Sequence, residues 1–168
     1  MGDDNSQKQA KLNNELKQAM YSHDYAEARR LIDKGADPNT TNGWGSPFIC
    51  WCAEKGRIDL IDFALEKGAD VNAANKSGET ALHKAAQLGI VNVINHLIDS
   101  GANINHKNIY DTTPLFVAAR SDQPEAVKTL LARGADPSIR NYNGVSAAQK
   151  AKEKGHDAIV ALLAERRP

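Results

Sequence analysis

Few side chains in this chain of 168 residues could do chemistry at neutral pH: five histidines and two cysteines. His83 lies in Thr80-Ala81-Leu82-His83-Lys84-Ala85-Ala86, at the start of a helical pattern. There an imidazole can bond back to the Thr80 hydroxyl or to a neighbouring loop's backbone, which makes it a structural hydrogen-bonding group. His23, His96, His106 and His156 are scattered, and no two have the i, i+4 spacing of a helical metal clip. Cys50 and Cys52 flank Trp51. Two thiols this close make no disulfide framework, and they lack partners at zinc spacing. Their plain reading is core thiols; the sharper one is a redox-sensing dithiol. Adjacent helical residues point about 100° apart, so Cys50, Trp51 and Cys52 are not expected to be buried together. Trp51 should then partly face outward. Paired carboxylates such as Asp59 and Asp62 read as solvated charge. No nucleophile elbow, phosphate-binding loop or dinucleotide fingerprint is present. The expectation is a chain that is not an enzyme and uses no cofactor and no metal.

Lys plus Arg and Asp plus Glu both number 21, so the formal net charge is zero. That argues against a nucleic-acid partner held through its phosphates. No apolar run reaches the roughly 18 residues of a membrane helix, so no stable membrane insertion is expected. The start, Met1-Gly2-Asp3-Asp4-Asn5-Ser6, fits a short myristoylation pattern that often matches by chance. An ordinary flexible start is the simpler reading. Reduced thiols and the lack of a cleavable signal point to the cytoplasm, or to delivery by a route needing no such signal.

The elements that carry these residues recur. Gly-Ala-Asp/Asn begins at Gly35, Gly68, Gly101 and Gly134, 33 residues apart each time. A strict period of that size marks a stacked-repeat architecture. Apolar stripes at helical spacing flank each block: Leu12, Leu16, Ala19 and Met20, then Tyr25, Ala28, Leu31 and Ile32, in the first unit. Later units alternate a shorter helix rich in alanine with a longer one rich in Leu, Ile and Val, and such uneven layers should curve as they stack. Glycines stop the helices at Gly56, Gly89 and Gly155, and Asp122, which tolerates left-handed backbone, takes that place in the fourth unit. Residues 1–8 read as a flexible leader. Residues 9–168 read as one domain in units of about 9–40, 41–73, 74–106, 107–139 and 140–168, with polar end units as caps, the last carrying Glu165, Arg166 and Arg167.

The Thr-x-x-His-x-Ala-Ala run at Thr80–Ala86, with Gly89 and Gly101-Ala102-Asn103-Ile104-Asn105, resembles the ankyrin-repeat family over roughly residues 10–165. The resemblance implies an all-α solenoid of helix pairs joined by β-hairpin fingers. It also implies a groove, between the fingers and the first helices, that binds other proteins. The pattern has departures. Ser46-Pro47 arrives one residue early, so the second finger should be one residue shorter. Phe116 and Gln149 stand where histidine is usual, and Ser138 stands where asparagine is. Asn39, Asn72 and Asn105 occupy a position that asparaginyl hydroxylases modify in similar proteins; their plainer role is a bond within the finger.

Partner-binding residues should lie where side chains stop serving the repeat. Trp44, Lys76, Tyr110 and Tyr142 fall on finger tips; Trp51, Lys84, Phe116 and Arg120 fall on the first helices. Trp, Tyr and Arg are favoured interface anchors because they bury large areas with few rotors. The expected function is a monomeric protein-binding module, with a dedicated inhibitor or effector of one enzyme or host factor as the alternative.

Overall fold

A computed structural model of the chain describes residues 2–164, with side chains from residue 5; Glu165, Arg166 and Arg167 of the expected cap lie outside the described residues. The helices come in pairs: α1 (Gly2–Ser22) with α2 (Tyr25–Asp33), α3 (Phe48–Glu54) with α4 (Ile58–Glu66), α5 (Ala81–Leu88) with α6 (Val91–Asp99), α7 (Pro114–Arg120) with α8 (Pro124–Ala132), and α9 (Ala147–Lys154) with α10 (Asp157–Ala164). The helices α3, α5, α7 and α9 stack in one layer, and α6, α8 and α10 in a second. The inner layer can be thin because Ala81, Ala85, Ala86, Ala118, Ala119 and Ala151 are its buried contacts. Leu60, Ile61, Val93, Ile94, Leu97 and Leu130 fill the space behind them. Helix α1 begins at Gly2, so Gly2–Lys8 form its first turns and not a separate leader. Gln7, Lys8, Gln9 and Ala10 are good helix formers, and they carry the helix back from its apolar stripe.

Between the pairs the chain forms fingers built on one asparagine each. The side-chain carbonyl of Asn42 accepts from the N–H groups of Trp44 and Ser46, both at 3.0 Å. Asn75, Asn108 and Asn141 do the same for the residues two and four further on. The third tip residue is left-handed each time: Gly45, Gly78 and Gly144, with Asp111 (φ 55°) standing in once. A turn wound on a side chain needs little strand pairing. Among the described residues the fingers make only the isolated bridges Thr41–Pro47, Ala74–Thr80 and Arg140–Ser146, and β-hairpin strands are not formed.

The second finger is not shortened. Its bridge and the start of α3 at Phe48 keep the 33-residue register with Ala81. Pro47, not Ser46, takes the N-cap position, with the extended backbone (φ −62°, ψ 155°) that an N-cap requires. The cost falls on two hydroxyl functions. Helix α3 has no side-chain cap, and Ser46 Oγ is enclosed without a hydrogen-bond partner among the described residues.

Asn39, Asn72 and Asn105 tie units together through their side-chain carbonyls and do not use them within their own finger. Asn39 Oδ1 accepts from the Asp70 N–H (2.9 Å), Asn72 Oδ1 from the Asn103 N–H (2.8 Å) and Asn105 Oδ1 from the Asp136 N–H (2.9 Å). Asn13 on α1 supplies the first rung, to the Asp37 N–H at 2.8 Å. At the corresponding place the Ser138 hydroxyl donates to Asp136 Oδ1 at 2.7 Å.

Candidate protein-binding surface

His83, Cys50 and Cys52 are part of the core. His83 is fully buried. Its Nε2 lies 3.0 Å from the Thr112 carbonyl oxygen, an acceptor only, so that nitrogen carries the proton. Nδ1 then accepts from the Thr80 N–H at 3.2 Å, with Thr80 Oγ1 at 3.0 Å. Burial pushes the His83 pKa down to about 4, so the ring is neutral at physiological pH. Cys50 occupies the same repeat position 33 residues earlier, its thiol 3.6 Å from the Ala73 carbonyl and 3.9 Å from that of Glu79. Burial raises the Cys50 pKa to about 12 and holds Cys52 well above the usual thiol range. Thiols so buried and protonated are poor nucleophiles, which removes the redox-sensing reading. Among the described residues no three His, Cys, Asp or Glu side chains gather as a metal site.

Trp51 and Phe116 are corrected from contact residues to core: 3% and 2% of each is exposed. Cys50, Trp51 and Cys52 are all buried, against expectation, because α4 and α5 pack on α3 and the Tyr25 ring covers Trp51. Trp51 stacks on Tyr25 at 4.7 Å between ring centres and lies near Phe48 at 5.6 Å. Its indole N–H donates to His23 Nδ1 at 3.3 Å. His23 itself is left-handed (φ 56°) at the repeat position where Gly56, Gly89 and Gly155 sit. Reading back one period from Gly56 would have found it.

The finger-tip residues do stand free. Trp44 is 73% exposed, Tyr142 63%, Ile109 62% and Tyr110 50%. Backbone bonds tie the fingers together, from the Ile109 N–H to the Ser77 carbonyl (3.1 Å) and from the Tyr142 N–H to the Tyr110 carbonyl (3.2 Å). At the equivalent place on the second finger, the Gly43 N–H donates to the Tyr21 hydroxyl at 2.6 Å. Tyr21 therefore stands in for a preceding finger, and its ring meets Trp44 edge-on at 5.2 Å. The sequence reading passed over Tyr21, which lies on α1, outside the finger pattern.

Family models place ankyrin repeats, in three copies, over residues 16–108, and one more over residues 110–142. The chain belongs to the ankyrin-repeat family. A comparison with curated proteins finds no match. Ankyrin repeats are in general protein-interaction modules. In this ankyrin-repeat chain no described helix is long and apolar enough to cross a membrane.

Two adjoining clefts line the finger side of the inner helices. The first, about 340 Å³, lies between the end of α1, the second finger and α3, with Tyr21, Trp44, Trp51, Glu54, Lys55 and Lys84 in its walls. The second, about 350 Å³, is lined by Glu54, Lys55, Lys84, Gln87 and Leu88. Lys84 is half-buried and bound to Glu79 at 2.7 Å. Burial works to raise the Glu79 pKa, but the hydrogen bond and charge of Lys84 outweigh it and hold the carboxyl below its usual value. Lys76 is exposed, with its stem laid across Gly45: a β-carbon there would sit 2.5 Å from Lys76 Cγ. Arg120 is exposed at the end of α7. The surface thus brings Trp44, Lys76 and Lys84 to one end, and Tyr110 and Tyr142, 6.0 Å apart between ring centres, to the other.

Proposed function

We propose that this ankyrin-repeat chain is a non-enzymatic module that binds a partner protein across its finger tips and inner helices. The observation that carries the reading is the set of large apolar side chains, Trp44, Ile109, Tyr110 and Tyr142, held in the open on bonded fingers. None is needed to close the core, and exposed aromatic groups of this kind mark interaction surfaces. Two free, buried thiols support a reducing compartment, and we place the module in the cytoplasm. The test is a photo-reactive residue placed at Tyr110 in one variant and at exposed Lys128 on α8 in another, each with native lysate. The reading expects a discrete cross-linked protein from position 110 only. A partner cross-linked equally well from Lys128, or retained in full by a folded Trp44→Ala, Tyr110→Ala, Tyr142→Ala variant, overturns it.

A further inference from the structure

The clefts carry chemistry that narrows the partner. At about 340 Å³ the first is at the small end of the roughly 300–1,000 Å³ of ligand pockets, with room for a ring-sized group. Its aromatic wall is fixed: Tyr21 is held by the Gly43 N–H and in turn props Trp44. Ser46 Oγ is enclosed at the same wall with its hydrogen-bonding capacity unused among the described residues. The second cleft shares Glu54, Lys55 and Lys84 with the first and ends at Leu88, 51% exposed, so the two form one track suited to an extended chain.

Unpaired cations flank this track. Lys55 lines both clefts, and Lys76 is exposed on the third finger with its stem across Gly45; outside the clefts, Lys154 occupies the repeat position equivalent to Lys55, and Arg120 lies one position before that row. None of these four has a carboxylate partner among the described residues. Glu79 is spent on Lys84 and Glu153 on Lys150, which leaves Glu54 next to Lys55 and, two residues after Arg120, Asp122, whose carboxylate lies 3.5 Å from His156 Nδ1. In a chain of zero net charge, Lys55 and Lys76, both without a carboxylate partner among the described residues and both beside the Trp44 finger, favour an acidic partner. We propose that the Trp44 cleft and its flanking cations dock an acidic, extended segment of a partner protein that carries one aromatic or large aliphatic side chain. The side chain fills the cleft against Tyr21 and Trp44, and its acidic neighbours meet Lys55 and Lys76. Aromatic groups beside cations also suit single-stranded nucleic acid. The balanced total charge favours the peptide, since a nucleic acid held by its phosphates needs a basic field.

The proposal rests on the protein-binding reading above, and its test separates the two. A random dodecapeptide library displayed on phage is panned against the full chain. The expected winners carry a ring or large aliphatic side chain flanked by Asp or Glu. Their affinity falls about ten-fold or more in Trp44→Ala, as for an interface hot spot, and again in Lys55→Gln, Lys76→Gln. Trp44 is largely exposed, so its variant keeps the wild-type melting curve. Basic or ringless winners, no enrichment, or winners displaced by oligothymidylate at the same site overturn the proposal. Winners that ignore Trp44→Ala but are lost in Tyr110→Ala, Tyr142→Ala overturn it too, while leaving the protein-binding reading intact.

Discussion

His83 gives this protein an acid sensitivity whose size and sign follow from its site. The ring is wholly buried, faces Thr80, the Thr112 carbonyl, Glu79 and Lys84, and meets His106 edge-on at 5.9 Å. Desolvation is the main cause that takes its pKa to about 4 in the folded chain, against an ordinary value of 6.5. Protonation would put a second proton on Nδ1, the atom that accepts from the Thr80 N–H, and would charge a ring with no water around it. Between these two pH values the unfolded chain binds the proton and the folded chain does not. Stability from this group is therefore complete above about pH 6.5 and falls as pH drops toward 4, where the loss levels off. At about 1.4 kcal/mol per pH unit, the full loss is roughly 3 kcal/mol. The control is His83→Gln, since Gln149 fills the equivalent position and accepts from the Ser146 N–H there. Urea unfolding of both proteins at several pH values between 7 and 4 isolates the histidine, because all other titrations cancel in the difference. The wild type should lose roughly 3 kcal/mol relative to the variant across this range. A difference that stays constant with pH would refute the assigned tautomer and the burial argument together.

The two glycines at equivalent tips separate strain from collision. Gly144→Ala meets open space and should cost about 1 kcal/mol, from left-handed backbone alone. Gly78→Ala adds a β-carbon 3.0 Å from Asn108 Cα and Ile109 N, so urea titration should show a loss about 1–3 kcal/mol larger; equal losses would count against the close approach of the third and fourth fingers. Asn72→Ala removes a rung between units and leaves the Asn103 N–H without its acceptor, at a cost of about 1 kcal/mol in unfolding free energy. Thiol-reactive dye at pH 8 should leave the native protein unlabelled and label both cysteines once it is unfolded; rapid native labelling would contradict the burial of Cys50 and Cys52.

Most of the fold was legible because it is periodic. The 33-residue interval, the apolar stripes and the left-handed glycines each constrain the same helix boundaries, and the helices begin and end where those signals agree. What sequence could not weigh was enclosure. A helix with one open face could not bury Cys50, Trp51 and Cys52 together; here α4 and α5 pack on α3, and the ring of Tyr25 stacks on Trp51, which leaves each of the three at most 3% exposed. The second finger was misjudged because Ser-Pro looks like a helix start, whereas the register between units holds Pro47 at the cap and leaves the serine one place outside. Tyr21 is not legible in the finger pattern because it lies on α1, and only the fold brings its hydroxyl to the Gly43 N–H.

Departures from the repeat therefore divide into two kinds, and the division locates function. At the helix-ending position the chain has His23, Gly56, Gly89, Asp122 and Gly155, and the unusual His23 is matched by Trp51, whose indole bonds to it. At the third position after the helix cap it has Cys50, His83, Phe116 and Gln149. Two of these reach the next finger, by the thiol of Cys50 and the imidazole of His83; Phe116 fills the space; Gln149 closes its own cap. Each such departure has an internal partner or fills the core, so each is explained by folding alone. Trp44, Ile109 and Tyr142 have no comparable debt to the core: all three are more than half exposed on fingers whose shape is set by Asn42, Asn108 and Asn141. Trp51 and Trp44 thus look alike in the sequence and differ in kind. One compensates for His23, while the other is supported by Tyr21 without being enclosed by it, as a side chain must be if it is to be buried by something else.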